Sequence, residues 1–195
     1  LYVDVTNYER EQFNRADNLE SGRRGNIGFA LMILQRRLAS SPEAIYQSLK
    51  RRKERLQKRL EEERLFHRVT IRQEEIHVVD DDEDIEEFVD DADADEQEQL
   101  ENDFTDRATT AQTIQELEAE IDTLQRLEDL ALAVKRSGID KKWEELSTIL
   151  TENEWMFDEG RNRRKLVIFT EHRDTLNYLA LKIRTLLGNQ ETVVT

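Results

Sequence analysis

From Asp80 to Asp103 the chain carries fifteen acidic residues and not one Lys or Arg. Self-repulsion on that scale forbids a packed core and leaves a solvated or loosely helical insert. The run also holds all the net charge. The formal charge is −15, and of 44 acidic residues the other 29 face 29 Lys and Arg. An average of this kind does not exclude a nucleic-acid partner, because the flanking parts are neutral with local basic clusters.

Only 37% of the 195 residues are hydrophobic and 37% are charged. Long helices with exposed faces suit that balance better than a sandwich or barrel. One proline and six glycines argue against a turn-rich β fold. There is no cysteine, hence no disulfide framework or thiolate metal site. No signal peptide and no apolar run of membrane-spanning length is found, which is compatible with a cytoplasmic setting without membrane contact. The chain starts at Leu1 and ends on the apolar pair Val193-Val194, so both ends read as cut from a longer protein.

Leu1 to Val5 alternates like the end of a strand, and Thr6 with Glu9 forms a capping-box pattern for a helix anchored by Tyr8 and Phe13. Glu20 to Gly28 reads as a loop. Ile27, Ala30, Leu31, Leu34 and Leu38 then predict a helix over 26–39. Ser40-Ser41-Pro42-Glu43 is a strong helix start, a serine cap followed by proline at the first position. That helix is expected to reach about Phe66, roughly 37 Å. Ile45, Leu49, Leu56 and Leu60 form its apolar stripe, and seven Lys or Arg lie between Lys50 and Arg59.

Val69 to Ile71 and Ile76 to Val79 are β-like, compatible with a hairpin or a loop. After the acidic run, helical periodicity returns near Thr110. Ile114, Leu117, Ile121 and Leu124 start a coiled-coil seam, which Leu127, Leu130 and Val134 shift in phase. Gly138 ends that helix. Asp140 caps a short helix through Trp143, Leu146 and Leu150, and 159–164 is a polar turn. Lys165 to Thr170 is a continuous apolar run, expected to be a strand covered on both faces. Leu176, Leu179, Ile183, Leu186 and Leu187 follow as a helix ended by Gly188, and Thr192 to Thr195 begins another strand. Together these predict a βαβ unit with a right-handed crossover. The two long helices, one basic and one rich in Glu and Asp, are expected to pair as an antiparallel hairpin stabilised mainly by its apolar seam.

Asp140 to Leu150, the polar spacer, Lys165 to His172 and the helix ending in Leu186-Leu187 resemble the SNF2-type family of superfamily 2 helicase-like ATPases. There a lysine-bearing short helix precedes motif IV, an apolar strand ending in Phe-Ser or Phe-Thr. The likeness covers about a quarter of the chain. The segment Ser40 to Leu60 (SSPEAIYQSLKRRKERLQKRL) is similar to bacterial members. The resemblance implies a mainly α chain, with a long helical hairpin as a protrusion-type insertion attached to a partial α/β RecA-like lobe. Residues 1–25 would enter the second lobe, 26–138 form the protrusion with the acidic insert at 80–103, and 139–195 start the lobe proper. It also implies a parent that binds duplex DNA, uses ATP and Mg²⁺, and packs this piece against its remaining RecA-like lobes. A hairpin cut from such a parent is prone to dimerise artificially.

The sequence departs from that family in having no G-x-x-x-x-G-K-[ST] loop and in stopping before motifs V and VI, so it has no catalytic residue of its own and no cofactor site. The resemblance implies that Thr170, His172 and Arg173 sit where the second lobe meets the nucleic-acid backbone or the nucleotide cleft, and they are taken as candidates for nucleic-acid contact, against ordinary polar caps of a helix start. The cluster of Lys50, Arg51, Arg52, Arg55 and Arg59 is the other candidate for phosphate contact, weighed evenly against a solvated helix face. Ile76 to Asp81 mimics a Walker B strand, and Asp80, Asp82 and Asp84 mimic the first spacings of an EF-hand. No phosphate loop precedes the former, and Ile85 replaces the turn glycine of the latter. His67, His77 and His172 have no metal spacing. Trp143 and Trp155 are expected to be packing anchors. A competing function is an acidic helical interaction module that binds a basic protein partner without catalysis.

Overall fold

The computed structural model describes residues 1–17, 19, 21–70, 99–102, 105–106 and 108–188. The chain is mainly helical, with α1 (Tyr2–Ala16), α2 (Ser21–Ser40), α3 (Pro42–Thr70), α4 (Ile114–Ser137), α5 (Lys141–Glu152), a 3₁₀ turn (Glu154–Met156) and α6 (Arg173–Leu187). Residues 99–102 and 105–106 are also helical. The Walker B and EF-hand mimics, the β-like run 76–79, the acidic run up to 98 and the strand expected at 192–195 lie outside the described residues.

α3 and α4 form the antiparallel hairpin. Cross-pairs run in opposite chain directions: Glu43 with Lys135 at 2.7 Å, Arg52 with Glu120 at 3.0 Å, and Arg64 with Glu118. The start of α3 follows from local chemistry. Ser41 Oγ accepts from the Ala44 amide at 3.1 Å, with Pro42 as first helical residue. α4 begins later than expected, at a capping box in which Thr113 and Glu116 satisfy each other's amides. It ends at Gly138, whose φ of 71° is open to glycine at no steric cost.

The seam buries Leu49, Leu56 and Leu60 against Leu117, Ile121, Leu124, Leu127 and Ala131. Ala131 continues the stripe begun at Leu117, and Leu130 turns outward, 42% exposed. The same core takes in Val5 and Tyr8 of α1 and Leu34 of α2. α1 therefore shares one hydrophobic core with the hairpin. α5 and α6 build a satellite core around Leu150, Met156 and Ile183, with Trp143 packed on it. Trp155 is not a packing anchor, since it is 48% exposed.

Three expected elements are corrected. Residues 2–5 are helical, not a strand, and Thr6 lies inside the helix instead of capping it. Val3 is 66% exposed, and the inward residues Val5, Tyr8, Gln12 and Ala16 follow a 3–4–4 spacing. That spacing outweighs a five-residue alternation. Phe13 is correspondingly half exposed instead of anchoring α1. The stretch 21–28 is the first part of α2, not a loop. Of its three glycines, Gly25 and Gly28 lie beyond the first turn and each cost about 1 kcal/mol against alanine. Burial of Ile27, and Arg23 donating to the carbonyls of Thr109 and Ala111, hold the helix regardless.

Lys165 to Thr170 forms no strand, and among the described residues there is no βαβ unit. Val167 is 71% and Phe169 92% exposed. The nearest β pairing is a single antiparallel bridge, Phe157 with Arg163. An apolar run becomes a buried strand only when neighbouring strands satisfy both its edges, and the described residues offer none. Among them, no helix is long and apolar enough to cross a membrane.

Candidate nucleic-acid interface

An α-helix turns 100° per residue, so seven basic residues between positions 50 and 59 cannot share one face. α3 sorts them. Arg52 points into the hairpin and is 1% exposed. Its guanidinium donates to Glu120 Oε1 at 3.0 Å, to Tyr8 Oη at 3.0 Å and to the Thr105 carbonyl. Tyr8 in turn donates to Glu120 at 2.8 Å, and Thr109 donates to the other Glu120 oxygen. Burial raises the Tyr8 pKa far above its ordinary value, so the phenol keeps its proton. Arg52 is thus enclosed away from any phosphate.

Arg51, Arg55 and Lys58 line a cleft of about 770 Å³ between α3 and Gln99, Leu100, Asn102 and Asp106. Arg51 is the most constrained. It donates to Asp174 at 3.1 Å and to Asn102 at 3.1 Å, and its Nε stands 3.9 Å from Asp106. Lys50 and Arg59 lie at the flanks, each 3.9 Å from a glutamate one turn on, Glu54 and Glu63. Such exposed pairs are weak and readily exchanged.

The second candidate group sits where α6 meets the α2–α3 corner. Thr175 shares hydrogen bonds with Ser40 and Ser41 at 2.7 and 2.8 Å, and Arg36 pairs with Glu171. Arg173 is exposed and Thr170 half-buried. His172 is 2% exposed. Burial, helped by the neighbouring Arg37 and Arg36, lowers its pKa to about 4, so it is neutral at pH 7. The Arg51–Asp174 pair joins the two candidate groups, which lie 120 residues apart in sequence but meet at one corner.

Sequence reasoning missed Arg37, Asn102 and Asp106. Arg37 is 1% exposed, donates to Ser48 at 2.9 Å and to Asn102 at 2.6 Å, and backs the Arg51 site. Its place between the inward residues Leu34 and Leu38 was the available signal. Asp106 is 3% exposed, and burial raises its pKa to about 6 against the pull of Arg51 and Arg37.

Among the described residues no group of three or more His, Cys, Asp or Glu is placed to hold a metal ion. The N-termini of α3, α4 and α5 are closed by Ser41, Thr113 and Asp140.

The perturbed groups give the fold an unusual pH dependence. Glu9 of α1 is 5% exposed, and burial raises its pKa to about 7. A raised acid contributes stability that is full below its unfolded value and lost as pH rises through its folded one. Glu9 and Asp106 thus weaken the fold between pH 5 and 8. His172 acts oppositely, its contribution full above pH 6.5 and lost as pH falls towards 4. The two acids outweigh the histidine over this window, at about 1.4 kcal/mol per pH unit for each group. Urea unfolding is expected to show the chain about 2 kcal/mol more stable at pH 5 than at pH 8. A stability that rises from pH 5 to 8 would show that these carboxyls are solvated in the folded chain.

No family model, curated protein or solved structure matches the chain.

Proposed function

We propose that this chain is a helical arm and partial second motor lobe of a SNF2-type, DNA-dependent ATPase, without ATPase activity of its own. The arm braces duplex DNA through phosphate contacts along α3. One observation carries the reading. Arg55, Lys58 and Arg59 project from a helix whose inner face is fixed by the Arg52–Glu120–Tyr8 network, beside an open cleft. A cation row on a rigid rod is suited to the regular phosphate spacing of a duplex. The exposed run 166–169 is the kind of edge that the rest of a RecA-like sheet would cover.

The acidic run adds an electrostatic gate. Gln99, Leu100 and Asn102, near its end, line the cleft, so the insert ends beside the cations it would compete for. Removing residues 80–98 while keeping Asn102 is expected to tighten duplex DNA binding at least tenfold at about 0.1 M salt, read by fluorescence anisotropy. Charge reversal at Arg55, Lys58 and Arg59 in that deletion should cut the salt slope by about one per cation. Unchanged affinity on deletion at every salt concentration overturns the gate and the brace together.

A second reading, the acidic module for a basic protein partner, is favoured by the lack of any strand pairing at Lys165 to Thr170. It forecasts no DNA binding by either form. It also forecasts capture of a lysine-rich peptide that is lost when residues 80–98 are removed.

A further inference from the structure

On the side of the molecule where α1 lies against α2, the two helices leave a groove of about 570 Å³. Phe13 and Met32 are its open walls, each about half exposed, with Leu31 and Gly28 between them. Gly28 widens the floor, since a Cβ there would only reach ordinary contact with the Phe13 ring at 3.9 Å. Large apolar side chains left half in water on facing walls are typical of a surface that another chain covers.

Glu9 lines this groove, 5% exposed, with both carboxylate oxygens covered from solvent. Neither of its carboxylate oxygens completes a hydrogen bond of good geometry. The Gln35 amide stands close enough to favour the ionised form, but burial dominates and leaves the pKa near 7. The hydroxyl of Thr6 beside it is buried and unsatisfied too. Two arginines border the groove, yet neither makes an ion pair with Glu9. Arg36 is paired with Glu171, and Arg10 is exposed. A carboxyl taken out of water without a partner is destabilising by several kcal/mol in its charged form. Such a group in a native fold needs an explanation.

We infer that the α1–α2 groove is a docking site for a segment of a partner protein that carries an arginine beside apolar side chains, the guanidinium reaching the covered Glu9 carboxylate as the half-exposed Phe13 and Met32 side chains give way. Arginine fits better than lysine because two unsatisfied oxygens match its planar pair of donors. The apolar neighbours of that arginine cover Phe13 and Met32. A desolvated charge pair ringed by apolar contact is the usual anatomy of an interface hot spot. The groove is separate from the α3 cation row, so this inference does not depend on the DNA-binding proposal.

The test uses the full chain and two short capped peptides, one with a single arginine between leucine and phenylalanine residues and one with citrulline in its place. Citrulline keeps the shape and removes the charge. The acidic run attracts arginine as well, so binding is measured at about 0.3 M salt, where exposed charges are strongly screened. The deciding comparison is between the parent chain and Glu9→Gln. The parent is expected to prefer the arginine peptide by about tenfold or more, and Glu9→Gln to erase that preference while remaining folded by circular dichroism. Phe13→Ala is expected to weaken both peptides. An arginine preference that survives Glu9→Gln assigns binding to the acidic run and overturns the inference, as does failure of the parent chain to bind either peptide.

Discussion

Glu120→Ala is expected to destabilise the fold by about 3–5 kcal/mol, a large share of the total stability of a domain. The cause is the charge left behind. Arg52 is 1% exposed, and its guanidinium is neutralised by Glu120 alone among its three hydrogen-bond partners, the others being the Tyr8 hydroxyl and the Thr105 carbonyl. Removing the carboxylate also strips an acceptor from Tyr8 and Thr109. Replacing both charges together, as Arg52→Met with Glu120→Leu, should restore most of the loss, because the hydrophobic pair needs no desolvated ion. A double-mutant cycle in urea isolates that coupling. Glu118 provides the control. It sits two residues away on the same helix and pairs with Arg64 where both side chains are about half exposed. Glu118→Ala should cost no more than about 0.5 kcal/mol. Equal effects at Glu118 and Glu120 would mean that solvent reaches Arg52.

The position of Arg52 also marks where the sequence stops being informative. The apolar stripe of α3 read as Ile45, Leu49, Leu56 and Leu60 leaves six residues between Leu49 and Leu56, a step of about two helical turns. Something must fill the intervening inward position, and it is Arg52. Nothing local distinguishes that arginine from Arg51 or Arg55. Its inward turn depends on Glu120 and Tyr8, which lie 68 and 44 residues away. The same division holds elsewhere. The cap at Ser41, the cap at Asp140 and the left-handed glycines at Gly138 and Gly188 were legible because each is settled within one helical turn. The helix expected at 26–39 and the pairing of the hairpin were legible because a 3.6-residue period repeats over many turns. Lys165 to Thr170 was misjudged for the opposite reason. A strand is defined by its neighbours, and an apolar run alone does not supply them. In the candidate interface, clustering of cations along α3 was legible, but their sorting into one buried, one tethered and three outward-facing residues was not.

Leu124→Ala is expected to cost about 3–5 kcal/mol, against less than about 1 kcal/mol for Leu130→Ala. The two leucines lie on one helix, six residues apart, and their sequence surroundings are alike. Leu124 is fully buried in the hairpin seam, packed in the cluster that holds Leu49, Leu56 and Ile121. Truncating it opens a cavity between two helices whose backbones are held apart by that layer, so little relaxation is available. Leu130 is 42% exposed, and its truncation removes surface already in contact with water. The contrast tests the register of the hairpin. If the seam instead followed Leu127, Leu130 and Val134, the order of the two effects would reverse. Chemical unfolding of both variants, with an unchanged dependence on denaturant, decides it. The large loss at Leu124 would place most of the hairpin's stability in apolar burial. The buried Arg52–Glu120 pair would then serve to fix which faces of α3 and α4 meet, since a one-residue rotation of either helix would leave a charge uncompensated.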